Sequence, residues 1–436
     1  MVHAIDAPGL AGEEDAAGLT VRQLQEALGL ASKLVVVRSS LPILSHCLLE
    51  NNQLTVTDLD NYLTLDLPGL AIEPVCVPVA LLQKALRFVK DPIQLVKWDL
   101  NVILNDTFTL PGLEPQEFPA APARAVQPQS GEPFLVPERW VDLLPAMSPD
   151  ETRLNLSGVC LDLAAGYCVS NDGHRLHALR IPAGTVEAQG IVGLSAAKLI
   201  ARLLAREAVA GQFYMQRPTL TKEQEEMSAT ESRDVTPETV RQKRAALQKE
   251  LERPTHALFR TPGVEFWTRL VEGEFPDYQQ VLQRPAKLSH VTMPKTPLIA
   301  ALKACLTCAP KHALGVSLTQ LPAGVRVRLE ATDNGSVERL IECRGWQPGR
   351  YMGLNARYLL QAVECLRGDE VTLAIKDEAS PIHITDEGLH IVISPLRVSE
   401  PVECQKDKKD GGVPEQSEET ANASEAKSPT TQTHRQ

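Results

Sequence analysis

One short segment brings together residue types that could do chemistry. Residues 171–176 read Asn-Asp-Gly-His-Arg-Leu, and an aspartate, a histidine and an arginine so close together can take part in acid–base catalysis. Catalysis would also need a nucleophile or a metal ion placed beside the base, and no second cluster in the sequence supplies one. The alternative is a structural turn, in which Asp172 and Gly173 reverse the chain and Arg175 makes surface contacts.

Two cysteines form a second candidate site. Cys305 and Cys308 have the C-x-x-C spacing of zinc and redox sites, but no second pair or histidine cluster completes a ligand set. They fall within a helical pattern of apolar residues, which favours core packing. The nine cysteines are scattered along the chain, as is typical of free thiols in a reducing cytoplasm. We therefore expect no metal and no cofactor.

Helices and short strands must position these residues. Apolar residues at helical spacing predict helices over residues 20–34, 79–90, 137–147, 195–207, 296–311 and 354–367. Strand-like segments separate them, so the order helix–strands–helix–strands occurs three times. A repeat of about 110 residues is the size of a domain rather than of a solenoid unit. The fold class is therefore α+β, with a sheet layer and two helices in each unit.

The unit boundaries follow this repeat, and three further segments are added to it. We expect a flexible leader at 1–18, a first unit at 19–128, a second at 129–286 with a charged insertion at 217–256, a third at 287–400, and a tail at 401–436. The insertion contains a predicted helix that Thr236 caps and Pro237 begins. The tail has almost no apolar residues, so we expect it to be disordered.

Composition and charge exclude several classes of protein. Hydrophobic residues make up 43% of the chain, yet no apolar run approaches the ~18 residues of a membrane span, and the N-terminus lacks the pattern of a secretion signal. We expect a cytoplasmic protein without membrane contact. The net charge is −11, but the six predicted helices carry 13 Lys or Arg and only 5 Asp or Glu. Glutamate forms helices as readily as lysine, so this asymmetry favours a basic surface built by helices.

Several motifs in a fixed order resemble the bacterial DNA polymerase III beta subunit family, the replicative sliding clamps. These motifs are Arg-Ser-Ser-Leu-Pro-Ile-Leu at 38–44, Thr-Asp-Leu-Asp at 57–60, the segment 158–176, and Glu-Phe-Pro-Asp-Tyr at 274–278. The resemblance covers about residues 19 to 398. It implies three clamp domains per chain, with antiparallel sheets outside and two helices each inside, in a head-to-tail dimeric ring.

The resemblance also implies a function. The family are non-catalytic processivity factors that encircle duplex DNA without sequence specificity. They tether the catalytic subunit of the replicative polymerase and other proteins that carry a clamp-binding motif. A separate ATP-driven clamp loader is implied, since this chain contains no P-loop. A divergent paralogue that acts as a repair or regulatory binding module is the alternative, and a hydrolase or nuclease that uses Asp172 and His174 is a third hypothesis.

Site residues follow from the family by position. An apolar cleft between the second and third domains, which takes an extended peptide, would use Leu156, Gly173, His174, Arg175, Leu176, Pro276, Val281, Val392, Ser394, Pro395, Leu396, Arg397 and Val398. A DNA-contacting arginine of the family corresponds to Arg38, and helix position and charge alone add Lys84, Arg87, Lys198, Arg202 and Lys303. The ring seam would use Phe108 and Leu110 of the first domain and Thr307 and Cys308 of the third.

The cleft motifs also differ from the family pattern. Asn171 replaces a threonine, and Gln280 replaces an arginine. The segment 394–398 reads Ser-Pro-Leu-Arg-Val in place of Met-Pro-Met-Arg-Leu, and the chain continues beyond it. These differences predict an altered motif preference, and they place the start of the tail at the mouth of the cleft, where it could interfere with partner binding.

Overall fold

The computed structural model describes most of the chain between its two ends. The described residues are 18–36, 38–124, 126–128, 133–150, 152–182, 188–216, 254–285, 287–310, 314–331, 335–345 and 351–398. The leader up to residue 17, the insertion from 217 to 253 with its predicted helix, and the tail from 399 lie outside them. Within the described residues, no helix is both long enough and apolar enough to cross a membrane.

The helices of the described residues are short. The α-helices are α1 (Val21–Ala31), α2 (Val79–Ala85), α3 (Leu194–Leu204), α4 (Tyr278–Leu282), α5 (Lys295–Cys308) and α6 (Ala356–Cys365). The 3₁₀ helices are Pro42–Ser45, Pro115–Glu117, Pro122–Arg124, Glu138–Ala146 and Leu154–Leu156.

Within the described residues, twenty-five strands make up the rest of the regular structure. They are β1 (His46–Glu50), β2 (Gln53–Thr57), β3 (Asn61–Asp66), β4 (Val75–Pro78), β5 (Leu95–Trp98), β6 (Asn101–Leu104), β7 (Phe108–Pro111), β8 (Val126–Pro128), β9 (Phe134–Leu135), β10 (Gly158–Asp162), β11 (Tyr167–Asn171), β12 (Arg175–Arg180), β13 (Gln189–Gly193), β14 (Ala210–Gln216), β15 (His256–Thr261), β16 (Val264–Val271), β17 (Ser289–Pro294), β18 (Gly315–Leu321), β19 (Gly324–Ala331), β20 (Gly335–Ile341), β21 (Arg344–Gly345), β22 (Tyr351–Asn355), β23 (Glu370–Ile375), β24 (Ile382–Asp386) and β25 (Leu389–Ile393).

Five of the six predicted helices are α-helices, namely α1, α2, α3, α5 and α6. Thr20 caps α1 in a reciprocal capping box with Gln23. The sixth, predicted at 137–147, is the 3₁₀ helix Glu138–Ala146 instead. Pro145 lies inside it and cannot donate a backbone N–H, which disfavours the regular α-helical ladder.

The helices meet in pairs along the chain. α1 packs with α2, the 3₁₀ helix Glu138–Ala146 packs with α3, and α5 packs with α6. In the second pair, the buried Trp140 donates its indole N–H to the Ala197 carbonyl at 2.9 Å. Each unit predicted from the sequence therefore contributes one pair of contacting helices.

Antiparallel pairing links the strands into long runs. One run is β4–β1–β2–β3–β16–β15–β14, with β8 and β9 on β14. A second is β13–β10–β11–β12–β25–β24–β23–β17–β21, which joins the first through β13 and β16. Two further sheets stand apart, β22–β18–β19–β20 and β5–β6–β7.

The charged insertion interrupts a connection between neighbouring strands. β14 and β15 pair antiparallel, from Ala210 opposite Arg260 to Tyr214 opposite His256, and the insertion lies between them in sequence. β15 begins at His256, the last residue that the sequence analysis assigns to the insertion. The core sheet is therefore complete on both sides of the inserted segment.

Candidate functional site

The aspartate–glycine segment forms a tight turn between β11 and β12. Asp172 Oδ1 accepts hydrogen bonds from the backbone N–H groups of His174 and Arg175, both at 2.9 Å. The Asn171 side chain accepts another from the N–H of Gly173 at 2.7 Å. Gly173 has a φ of 89°, a left-handed conformation that glycine adopts without steric cost. The predicted turn is confirmed, and its own side chains fix its geometry.

Arg175 is buried beneath this turn. Its Nε donates to Asp172 Oδ2 at 2.9 Å, one terminal nitrogen donates to Gln361 Oε1 at 2.5 Å, and the other donates to the Pro145 carbonyl. Its guanidinium carbon lies 4.1 Å from the centre of the Tyr358 ring. These planar, charge-assisted contacts tie the turn to the 3₁₀ helix Glu138–Ala146 and to α6. The expectation that Arg175 makes surface contacts is therefore wrong.

The geometry does not assemble a catalytic pair from Asp172 and His174. Both Asp172 oxygens already accept hydrogen bonds from the turn, and the exposed His174 ring stacks on Tyr358, with ring centres 6.5 Å apart. Among the described residues, no group of three or more His, Cys, Asp or Glu side chains could hold a metal ion. Cys305 and Cys308 are free thiols on α5. The hydrolase hypothesis has no assembled site in this part of the chain.

An apolar floor lies beside the turn, where β12 pairs with β25. Leu176 stands opposite Val392 in the register, and both belong to one buried cluster with Leu156. Phe275 and Tyr278, from the segment after β16, belong to the same cluster. Three predicted cleft residues from distant parts of the chain thus meet in one place, which we call the cleft floor.

Helix α4 is anchored on this floor by a buried hydrogen bond. The Tyr278 hydroxyl donates to Asp162 Oδ2 at 2.9 Å, and burial together with the Asp162 carboxylate raises the pKa of Tyr278. Asp277 caps the helix, its Oδ1 accepting a hydrogen bond from a first-turn N–H at 3.1 Å. With α4 held at its start, Val281 near its end is exposed, as is the predicted Pro276.

The chain after β25 forms a wall beside the floor. The Ser394 N–H donates to the His174 carbonyl at 2.9 Å, and the Leu396 N–H donates to the Gly353 carbonyl at 2.8 Å. A Cβ atom at Gly353 would lie 2.2 Å from the Leu396 oxygen, so this close approach requires glycine. The predicted residues Ser394, Pro395, Leu396, Arg397 and Val398 therefore run along the edge strand β22.

Exposed apolar side chains rim the cleft floor. Val281 and Leu396 are both 41% exposed, and Leu154 is 60% exposed. The sequence analysis does not indicate Leu154, although its spacing from the buried Leu156 within one 3₁₀ helix is a signal for one outward and one inward leucine. Tyr358 is also not indicated, because its contact with Arg175 depends on how α6 packs against β12.

Comparison with known proteins finds similarity to bacterial beta sliding clamps. No protein-family model matches the chain. It is 24% identical over 399 residues to the beta sliding clamp of Caulobacter vibrioides, which covers 86% of this chain and 98% of that relative. The corresponding protein of Halalkalibacterium halodurans is 21% identical over 306 residues, which cover 67% of this chain and 71% of that relative.

Solved structures show the same similarity. The sliding clamp of Bartonella birtlesii bound to griselimycin has a TM-score of 0.71 at 23% identity, and the match covers 88% of this chain and 99% of that one. That of Pseudomonas aeruginosa has a TM-score of 0.68 at 21% identity, covering 87% and 99%.

The chain has the fold of the bacterial beta sliding clamps. The resemblance indicated by the sequence motifs is thereby confirmed over most of the chain. It extends through the antiparallel sheets and the helices described above.

The candidate DNA-binding residues of this clamp fold lie on the surface. Arg38, Lys84, Arg87, Lys198 and Arg202 are exposed, and none of them forms an ion pair with another described residue. Lys303 differs from them. Its Nζ lies 3.0 Å from a carboxylate oxygen of Glu364 on α6, which reduces the positive charge that it offers to a phosphate.

The candidate seam residues divide between the surface and the core. Phe108 on β7 contacts Phe88, with ring centres 6.3 Å apart, and Phe88 is 77% exposed. Leu110 is buried in the core of its own chain. At the end of α5, Thr307 is exposed and Cys308 is half-buried. Phe88 is a seam candidate that the sequence motifs do not indicate.

His177 on β12 is a buried titratable residue. Its Nδ1 lies 2.6 Å from the Asp142 carbonyl, and complete burial lowers its pKa from 6.5 to about 4. As the pH falls below 6.5, the unfolded chain takes up a proton at this residue while the folded chain does not. The stability that His177 contributes is therefore present above pH 6.5 and is lost as the pH falls toward 4.

We expect the free energy of unfolding to fall by about 3 kcal/mol because of His177 alone as the pH falls through this range. Urea denaturation at a series of pH values measures the change. The variant His177→Gln has no proton to take up and should lose this part of the pH slope. The variant His174→Gln, at an exposed position, should retain it. Equal slopes for the unsubstituted chain and His177→Gln would contradict the assignment.

Proposed function

We propose that this chain is a DNA sliding clamp, a non-catalytic processivity factor of the cytoplasm. It encircles duplex DNA without sequence specificity and tethers the replicative DNA polymerase. Two chains form the ring head to tail, and each contributes three clamp units, at 19–128, 129–286 and 287–400. An ATP-driven loader places the ring on DNA, and other proteins with a clamp-binding motif share the cleft.

The observation that carries this proposal is the pairing of strands between successive units. In the first unit, the run β4–β1–β2–β3 continues through the β3–β16 pair into β16–β15–β14 of the second. In the second, the run β13–β10–β11–β12 continues through the β12–β25 pair into β25–β24–β23 of the third. At both junctions a four-stranded sheet is extended by the last strand of the next unit.

Within a single chain, one four-stranded sheet and one three-stranded sheet have no strand of another unit paired to their edge. The four-stranded sheet of the third unit ends at β20, and the three-stranded sheet of the first unit ends at β7. By the pattern of the two internal junctions, β20 of one chain pairs with β7 of its partner. Unpaired edge strands favour such pairing, and two copies joined at both ends close a symmetric ring.

The helices supply the surface for DNA in this proposal. Exposed basic residues lie on α2 and α3 or next to them, and Arg38 adds another. Contacts from these side chains go to phosphates and carry no sequence information, so binding should weaken steeply with salt. The chain as a whole has a net charge of −11, and an acidic exterior favours threading of DNA through the ring over coating of its outside.

The cleft floor is the partner site. The exposed side chains of Leu154, Val281 and Leu396 at its rim offer apolar contacts to a peptide. The turn at Gly173 and His174 borders this rim. An extended peptide with alternate apolar anchors suits such a surface. The substitutions at Asn171, Gln280 and in the segment 394–398 then alter which clamp-binding motif is preferred.

The variant Val281→Asp should lower the affinity for a clamp-binding-motif peptide by roughly tenfold or more, because a charge replaces an apolar contact that loses water on binding. Folding stability should change by less than about 0.5 kcal/mol, since the side chain is exposed in the free chain. Fluorescence anisotropy with a labelled peptide measures the affinity. Val141→Asp, an exposed position on the 3₁₀ helix Glu138–Ala146, is the matched control. Unchanged affinity in Val281→Asp would place the peptide elsewhere.

A divergent clamp paralogue is the second candidate function. Two features favour this alternative. One is the candidate seam, where Thr307 is polar and exposed and Cys308 is half-buried, and the other is the altered segment 394–398. Such a protein would bind partner peptides as a repair or regulatory module without serving the replicative polymerase.

Primer extension on a singly primed circular template separates the two candidates. With its cognate polymerase and loader present, a replicative clamp should lengthen the products formed in one binding event. The paralogue hypothesis predicts peptide binding with no change in product length.

A further inference from the structure

The turn between β2 and β3 repeats the hydrogen bonds of the Asp172 turn. Asp58 Oδ1 accepts a hydrogen bond from the N–H of Asn61 at 2.7 Å, and Thr57 Oγ1 accepts one from the N–H of Leu59 at 2.9 Å. The equivalent bonds of the Asp172 turn measure 2.9 and 2.7 Å. The first two units therefore place the same kind of turn at their junctions with the next unit.

The strands that leave the two turns also pair alike. Tyr62 stands opposite Trp267 at the first junction, as Leu176 stands opposite Val392 at the cleft floor. In both places the residue two positions after that strand partner donates its N–H to a carbonyl of the turn, Arg269 at 2.7 Å in the first junction and Ser394 at 2.9 Å at the cleft. Tyr62 and Trp267 lie in a buried apolar cluster with Leu258. The first junction thus has an apolar floor of its own.

Leu59 occupies the position that Gly173 has in the other turn. Its φ of 85° is left-handed. This conformation is costly for leucine because the side chain crowds the backbone. Among the described residues with positive φ, it is the only apolar one apart from glycines. Its side chain is 47% exposed, so burial does not compensate the strain. Strained residues of this kind cluster at ligand-binding turns.

The residue after Leu59, Asp60, places a negative charge at the edge of this turn. Asp60 is exposed, and its side chain makes no hydrogen bond or ion pair with another described residue. Asp58 is engaged instead, since its oxygens accept hydrogen bonds from the Asn61 side chain at 2.9 and 3.1 Å. The residue that corresponds to Asp60 at the cleft is His174. An available carboxylate next to an exposed leucine suits a ligand that is both apolar and basic.

We propose that the junction of the first and second units is a second docking site for an extended segment of a partner protein. That segment places an apolar side chain against Leu59 and a lysine or arginine beside Asp60. The inference rests on the proposed role of the cleft, since the two junctions share one turn and one strand pairing. Because Asp60 stands where the cleft has His174, the second site should prefer a more basic segment than the cleft does.

The probe for this site is a short labelled peptide with alternate leucines and one lysine, compared with the same peptide carrying glutamate instead. In anisotropy titrations of the full chain, the lysine peptide should bind saturably and roughly tenfold more tightly than the glutamate peptide. Asp60→Asn should remove this preference. Leu59→Gly should weaken binding by roughly tenfold, while its denaturation midpoint stays equal or rises because glycine relieves the turn. A merely structural role for Leu59 predicts unchanged affinity.

The variant Val281→Asp separates this site from the cleft. It should leave binding of the lysine peptide unchanged while it weakens the clamp-motif peptide. Loss of lysine-peptide binding in Val281→Asp, or equal binding by the unsubstituted chain, Leu59→Gly and Asp60→Asn, would overturn the second site and leave the cleft intact. A changed sedimentation mass for Leu59→Gly would place a second copy of the chain there and overturn it too. Failure of the clamp-motif peptide to bind the unsubstituted chain would count against the proposed function instead.

Discussion

Replacing Arg175 with methionine is expected to lower the free energy of unfolding by about 3–5 kcal/mol, the cost of breaking a buried ion pair. The Arg175 and Asp172 side chains are only 7% and 6% exposed. Without the guanidinium, the Asp172 carboxylate loses its counter-ion, and Gln361 and the Pro145 carbonyl lose their donor. Equilibrium denaturation in urea measures the loss.

The exposed pair of Arg153 and Asp150 is the matched control. These side chains are 3.7 Å apart and about half exposed, so Arg153→Met should change stability by less than about 1 kcal/mol. Arg175→Lys keeps the charge but not the planar fork, and it should fall between the two. Equal effects of Arg175→Met and Arg153→Met would show that the buried contacts do not hold the turn.

Replacing Phe88 with aspartate is expected to convert the proposed dimer to single chains. Phe88 is exposed in one chain, yet it packs on Phe108 of the free edge strand β7. A charge at a contact that loses water on assembly costs about 3 kcal/mol, which raises the dissociation constant roughly a hundredfold. Sedimentation of the variant across a concentration series measures the shift.

Trp98→Asp provides the control for the seam. Trp98 is also exposed, but it lies on β5, and β5 is the opposite edge of the same three-stranded sheet. This variant should remain a dimer. If both variants dissociate alike, or if Phe88→Asp sediments as the unsubstituted chain does, β7 is not the seam strand.

The local features of this fold could be predicted from the sequence because their causes are local. Thr20 and Gln23 stand three residues apart and form the capping box of α1. Gly173 follows Asp172 and allows the turn that the dipeptide predicts. The 3₁₀ helix Glu138–Ala146 is the exception among the helices, since apolar spacing alone does not distinguish it from an α-helix, and it contains Pro145, which disfavours the α-helical hydrogen bonds.

The parts that sequence reasoning missed depend on distant contacts. Arg175 is buried because Gln361 accepts its hydrogen bond from 186 positions further along the chain. Lys303 is paired because α6 brings Glu364 beside it. The family pattern predicts Leu110 near the seam, and the packing of β7 against its own chain buries its side chain. Charge and motif identify candidate residues, whereas only the tertiary arrangement decides which way each side chain faces.

The solution mass of the unsubstituted chain over a dilution series tests the ring most directly. One chain has a mass of 47.6 kDa, and pairing of β20 with β7 at both ends predicts twice that mass, persisting on dilution. Phe88→Asp, measured alongside, should give the single-chain mass. If the unsubstituted chain itself has the single-chain mass at every concentration, the two free edges do not meet and the chain does not close a ring on its own.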